Sequence, residues 1–447
     1  MTDGLRTATW VFTALFVALT GRVLYAQEPL TVDRAVQAAL GQNASLRATR
    51  AAVTEADARI AEVHSGWYPR LSVTETWQRG DQPVFVFSSL LAAREFGPAN
   101  FAIDALNHPD PIGFFRTSIA VEQLVFDGGR QGSAVDSATY RREMAQLSSE
   151  EASAAVALAT VQGYGRVLIA ESSQRAAESA LEAAREDLRR AENRRDTGVA
   201  TDADVLALRA HVADLEQQAI EHQGEAAVSR AELNRLMGVP IEQEYQIAPP
   251  SDSDTSASAT ASVETLMAEA ARNRPEIRRA TTAQQAADAD RSGARAGLLP
   301  QVAVQAAFDV SGTQFNDRSS AWLAGAAVRW NLSLGGAERA QLQAATNARV
   351  RASAEADAAR AAVEVEVMTA FRRLQSANAR RAAGRAAVEQ ARESQRIVRD
   401  RFDAGLAGVT DVLRASSGVI DAENHRISAA VDAVVSEAML RRALGRP

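Results

Sequence analysis

The sequence repeats itself. Displaced by 207 positions, it lays Gly129 on Gly336, Gly198 on Gly405, and Asp204-Val205-Leu206 on Asp411-Val412-Leu413. The match continues without a gap: Val212, Asp214, Glu216 and Ile220 meet Val419, Asp421, Glu423 and Ile427, and Leu233 and Gly238 meet Leu440 and Gly445. Upstream the displacement becomes 231, pairing Leu46 with Ile277, Gly66 with Gly297 and Pro69 with Pro300. Paired Gly, Pro and Asp-Val-Leu landmarks in one order mark a duplicated unit, so any fold for the first half must also suit the second. The chain divides into residues 1–26, a first repeat over 27–248, a Ser/Thr/Ala-rich linker over 249–262, and a second repeat over 263–447. The extra residues of the first half fall between Pro69 and Phe115.

Each repeat has the same grammar. A helical stretch over residues 31–65 or 263–296 ends at Gly and then Pro, which stop a helix and open an extended segment. Two strand-like runs follow, then a Gly pair at Gly128-Gly129 or Gly335-Gly336. After the pair come roughly 65 residues without Pro, a lone Gly198 or Gly405, and a second helix of about 38 residues. At ~1.5 Å per residue a 65-residue helix is ~98 Å long, which no compact domain contains. Ala is about a fifth of the chain, suiting helices that pack closely side by side. An extended coiled-coil stalk fits the helices alone, but has no need of strand pairs repeated in phase.

The strand runs carry one apolar face. Leu71, Val73 and Trp77 alternate with Ser72, Thr74, Thr76 and Gln78, with Glu75 breaking the apolar set. Val302, Val304, Ala306 and Phe308 oppose Gln301 and Gln305 in the same phase. Phe115, Ile119 and Val121 correspond to Trp322, Ala326 and Val328, while Arg116, Ser118 and Glu122 correspond to Leu323, Gly325 and Arg329. A slip of one residue would invert every side chain, so the shared phase means that the same face meets the same solvent. That face either packs in a small sandwich or meets lipid. Run lengths of about 9 to 12 residues and the aromatics Trp77, Phe115, Trp322 and Trp330, placed near strand ends, favour lipid. Four strands cannot close a barrel and lipid forbids an open edge, so a membrane sheet must pool strands from several chains.

Residues 1–26 read as an export signal: Arg6, an apolar stretch over 8–20, and a cleavage site after Ala26. An uncleaved anchor helix is the competing reading. The chain has no Cys, and all 49 of its basic residues are Arg. Disulfides, thiolate metal sites, a lipidated Cys, a P-loop Lys and a Schiff-base Lys are therefore excluded. The net charge of -7 gives no footprint for nucleic acid. Five scattered His and the lack of HExxH, GxSxG or GxGxxG sequences leave no metal, cofactor or catalytic constellation, so no enzyme is expected.

The chain resembles the TolC-type outer-membrane efflux family. The likeness rests on Asn43-Ala44-Ser45-Leu46 and Arg274-Pro275-Glu276-Ile277, where the family shows an Asn-Pro-x-Leu-like sequence, on Pro69 and Pro300, and on Phe126 to Gly129 and Leu334 to Gly336. The tip sequences Asp196 to Leu206 and Phe402 to Leu413 complete it. The resemblance implies a mainly α protomer with a membrane β part. It implies a homotrimer whose strands form one 12-stranded barrel in outer-membrane lipid, continuous with a long periplasmic α-helical barrel. The implied function is the exit duct of a tripartite efflux system, with a periplasmic adaptor (membrane fusion) protein and an inner-membrane pump of the RND or ABC type. An exit duct for type I protein secretion is the alternative within this architecture, and a periplasmic coiled-coil scaffold without a pore the alternative outside it. By the same resemblance the adaptor docks on tips formed by Gly198, Val199, Ala200, Gly405, Leu406 and Ala407. Asp204 and Asp411 are carried over as a pore constriction, with Arg414 one turn on able to neutralise it. Either Asp also suits an N-cap position. Residues 79–113 are expected to form a folded surface loop outside the cell.

Overall fold

The computed structural model describes residues 29–198, 201–249 and 262–446. The first half contains α1 (Val32–Gln42), α2 (Ala44–His64), β1 (Arg70–Gly80), α3 (Pro83–Ala93), α4 (Ile103–Asn107), β2 (Ile112–Phe126), α5 (Arg130–Asp196) and α6 (Asp202–Met237). The second contains α7 (Val263–Asn273), α8 (Pro275–Ala296), β3 (Gln301–Gln314), β4 (Asp317–Arg329), α9 (Ala337–Asp403) and α10 (Val409–Ala443). Both α5 and α9 are 67 residues long, or about 100 Å of unbroken helix. Glycines in the left-handed conformation launch them, Gly129 at φ 90° and Gly336 at φ 73°.

The stretches expected as continuous helices over 31–65 and 263–296 are each two helices. Asn43 and Arg274 leave the helical region, with ψ of 129° and 124°. The Asn43 side-chain oxygen accepts from Ser45 N–H at 2.9 Å, capping α2, while its amide donates to Leu236 O at 2.8 Å. Arg274 precedes Pro275, whose ring excludes helical geometry from the residue before it. Its guanidinium donates to Arg442 O at 2.9 Å, holds both Glu276 oxygens at 2.8 Å, and reaches Glu366 at 2.7 Å. Each junction therefore grips the last turn of a return helix, α6 or α10. Gly238 and Gly445 end those helices at φ 74° and 70°; a Cβ at Gly238 would lie 2.5 Å from Gln42 O, and one at Gly445 2.9 Å from Asn273.

The helices lie side by side. α5 packs along α6 and α9 along α10, α8 lies between α5 and α9, and α10 also contacts α5. Small residues set the spacing: a Cβ on Gly165 would come within 2.5 Å of the Val431 side chain, and one on Gly384 within 3.3 Å of the Arg426 backbone. Leu266, Ile277, Val367, Phe371, Leu374, Leu440 and Leu444 form the core of the second half. Tyr164, Val167, Leu168, Leu233 and Met237 belong to the corresponding core of the first. There the Tyr164 hydroxyl reaches the carbonyls of Leu30 and Ala248, tying together the two ends of the first repeat.

The four strands form one antiparallel sheet in the order β1-β2-β3-β4, leaving β1 and β4 as its edges. The connection between β3 and β4 is a two-residue turn. That between β1 and β2 is not a plain loop, because it folds into α3, a 3-10 turn at Pro98–Phe101, and α4. Its Phe87, Phe96 and Phe101 rings stack edge-to-face in sequence, giving this excursion a core of its own.

Candidate functional sites: the sheet and the tips

Cross-strand register makes the two faces of the sheet unlike. Leu71, Val121 and Ala306 stand in one row, and Val73, Ile119, Phe308 and Trp322 in the next, all on one face. Their side chains are all exposed. Trp322, the most exposed of these larger groups, is 79% open, as no residue of a soluble core would be. The opposite face carries Ser72, Thr74, Thr76, Gln78, Arg116, Ser118, Glu122, Gln305 and Arg329. Such alternation, apolar to one side and polar to the other, is that of a membrane barrel strand with lipid outside and water inside.

Glu75, which broke the apolar set in the sequence, lies on the apolar face together with its partners. Arg318 reaches it from the start of β4 at 3.1 Å, and the Thr117 hydroxyl donates to it from β2. The Arg318 guanidinium lies 4.1 Å from the centroid of Phe315 and 5.4 Å from that of Phe115, and only a tenth of the side chain is exposed. The charge is thus paired and shielded by aromatic faces, as a charge facing lipid must be. Of the anticipated interface aromatics, Trp77 and Phe115 are paired neighbours toward the α3 end of the sheet, their rings 6.4 Å apart. Trp330 sits at the helical end, its indole N–H donating to Leu298 O at 3.1 Å. Trp322 is in mid-strand, opposite Phe308, and not at an end.

At the far end of the helices the two lone glycines reverse the chain. Both have φ of 74°, with open space around the missing Cβ. Gly405 N–H donates to Phe402 O at 3.0 Å and Leu406 N–H to Arg401 O at 2.8 Å, a Schellman ending that satisfies the last carbonyls of α9. Gly198 N–H donates to Arg195 O at 2.9 Å. Leu406 is exposed and Ala407 half-buried, while Val199 and Ala200 lie outside the described residues.

Asp204 and Asp411 occupy the third position of the returning helices. The Asp204 carboxylate accepts from the Thr201 N–H at 3.1 Å and the Thr201 hydroxyl at 2.8 Å, and the same hydroxyl accepts from Asp204 N–H at 3.2 Å. Asp411 accepts from Gly408 N–H at 3.2 Å. Both carboxylates therefore cap helices, where the N-terminal dipole favours negative charge. Arg414 lies 3.8 Å from Asp411, but both side chains are exposed and the pair is weak.

The two tips of one chain form a single unit, which no local motif revealed. Ala191, Val205, Leu208 and Val409 make a small core with Leu188, Phe402 and Leu413. Arg194 lies over the Phe402 ring at 5.0 Å and donates to its carbonyl at 3.3 Å, and Asp187 pairs with Arg399 at 3.6 Å. Partners some 208 residues apart cannot be matched by spacing until the repeats are seen packed together. Among the described residues no cluster of His, Asp and Glu could hold a metal ion.

The fold is shared with solved membrane proteins. A membrane protein from Pseudomonas aeruginosa matches with a TM-score of 0.78 and 20% identity, over 93% of this chain and 93% of that one. The CmeC outer membrane channel of Campylobacter jejuni matches with 0.79 and 16% identity, over 93% and 85%. The outer membrane protein VceC of Vibrio cholerae matches with 0.74 and 19% identity, over 93% and 96%. No curated protein matches the sequence. The family model described as outer membrane efflux protein matches residues 35–239 and 266–446, most of both halves. On that coverage, and with this sheet and these paired hairpins, the chain belongs to the outer membrane efflux protein family.

Proposed function

We propose that three copies of this outer-membrane efflux protein pool their sheets into a 12-stranded barrel and their helices into a periplasmic tube. The assembly is a passive duct for small molecules delivered by an inner-membrane pump through a periplasmic adaptor. One observation carries the reading: a sheet with one exposed apolar face and two unpaired edges, β1 and β4. In lipid an open edge leaves backbone N–H and C=O groups without partners, so neighbouring copies must supply them. The polar face then lines a wet bore, and the paired tips hang at the opposite end of helices about 100 Å long.

At the tips, the exposed backbone around Gly198 and Gly405 is the docking surface for an adaptor, because small residues let a partner's backbone come close. Asp204 and Asp411 stand beside it, capping their helices and repeated around the bore by symmetry. Asp411→Ala loosens the start of α10 and removes a carboxylate from the constriction, so single-channel conductance in planar bilayers rises. Unchanged conductance and ion selectivity would remove Asp411 from the gate. The duct itself is tested by fractionation and gel migration. The protein should enter the outer-membrane fraction and run as a trimer that heating dissociates. A water-soluble monomer would leave only a periplasmic scaffold.

A further inference from the structure

The excursion between β1 and β2 has no counterpart at the two-residue turn between β3 and β4. Its helix α3 lies on the polar face of the sheet, the face that lines the bore. Val86, Ser89 and Ala93 are buried against the strands, and Phe85 meets Phe114 edge-to-face at 6.3 Å. Three polar ties fix it: Ser319 Oγ donates to Ala93 O at 2.8 Å, Arg94 to Ser320 O at 2.9 Å, and the Thr313 hydroxyl to the Glu95 carboxylate at 2.8 Å. Arg94 is the one non-glycine residue with positive φ among those described, at 59°, so a strained residue is held in place to end the helix here.

The other side of α3 is apolar and largely uncovered, with Phe87 resting partly on Phe96 at 4.7 Å. Val84, Phe87 and Leu91 fall at helical spacing and are 81%, 37% and 50% exposed, and Ile103 stands open beyond them at 79%. A water-filled bore is a poor place for such a face. Twelve strands about 4.8 Å apart and tilted by about 40° close at a radius of about 12 Å. Helices layered about 10 Å inside that sheet then have less room at the barrel axis than three separate helices, about 8 to 10 Å apart, would need. The copies of α3 cannot remain apart at the mouth.

We infer that Val84, Phe87 and Leu91 of each copy meet the same residues of the other two, forming an apolar collar that closes the exit. The inference rests on the threefold duct proposed above. The occupant of the exposed face is a second copy of this chain because barrel closure carries the copies there, beside the same interface that joins β4 to the next β1. A collar of this kind sheds water and holds back ions and small polar solutes until cargo parts it.

The chain contains no cysteine, so a single introduced thiol reports only its own neighbours. Leu91→Cys protein in native outer membranes is treated with a short bifunctional thiol reagent and run on a denaturing gel. Up to about two thirds of the chains should move to a covalent dimer, the limit for three equal thiols around one axis. Ser89→Cys, facing its own sheet, should remain monomeric. Light scattering in detergent measures the assembly separately. If both Leu91→Cys and Val84→Cys stay uncrosslinked in a protein that is threefold, the collar is wrong and the duct stands. A protein that is not threefold overturns the duct and the collar with it.

Discussion

The junctions at Asn43 and Arg274 hold the same place in the two halves with opposite chemistry. In the first, one neutral side chain serves two helices, accepting from the start of α2 and donating to the end of α6. In the second, Arg274 can only donate; Pro275 removes the N–H that would need a cap, and Glu276 brings negative charge to the start of α8. The guanidinium is almost fully buried and depends on Glu276 and Glu366 for neutrality. A duplicated fold thus preserves the grip on the return helix while the means diverge, and the charged solution is the more fragile under single substitution.

The largest expected effect follows from that fragility. Arg274→Ala removes a nearly buried guanidinium with its bonds to Arg442 O, Glu276 and Glu366, leaving both carboxylates to Arg442 alone. It should destabilise the protein by about 3 kcal/mol, read by thermal unfolding in detergent followed by circular dichroism. A loss no greater than that of Asn43→Ala would erase the distinction between the junctions. Gly238→Ala comes next. It forces a side chain to φ 74° and against Gln42 O, costing about 2 kcal/mol, and more than Gly445→Ala, where the approach is looser. Asn43→Ala should cost about 1 kcal/mol, that of a lost cap and a lost bond to Leu236 O.

The smallest effect is one of pH. The Arg446 guanidinium hydrogen-bonded to Glu269 holds that carboxyl below its ordinary value of 4.5. The bond's contribution is whole above pH 4.5 and fades as pH falls through the lowered value, since protonation there removes the charge that only the folded pair favours. Arg446→Ala should therefore reduce stability at neutral pH and make little difference in strong acid. An equal deficit at both would assign Arg446 a packing role instead.

The repeat, the 67-residue helices, the tip glycines and the phase of the strands were legible because each is a local signal written twice. The breaks at Asn43 and Arg274 were harder to see, since helical periodicity runs through both. Pro275 carried a clue to the second in its restriction of the residue before it, but Asn43 carries only a capping preference that many helical Asn residues share. The excursion read as a folded surface loop, but its helix α3 was not singled out because the short apolar run that makes it stands among four prolines. Glu75 read as a flaw in the strand pattern because Arg318, its partner, lies 243 residues away. The capping role of Asp204 and Asp411 was legible only in kind: the sequence suits them to the N-cap itself, whereas Thr201 and Gly408 are the N-caps and each Asp reaches back from the third helical position.

The uninterrupted course of α5 and α9 makes each hairpin a lever. A rod with no proline or break to absorb bending converts a tilt near its fulcrum into a much longer sweep at its free end. With about 50 Å of arm between these junctions and the tips, a swing of about 5° carries a tip about 4 Å. Slight repacking around Asn43 and Arg274 is enough to move the tips far below them.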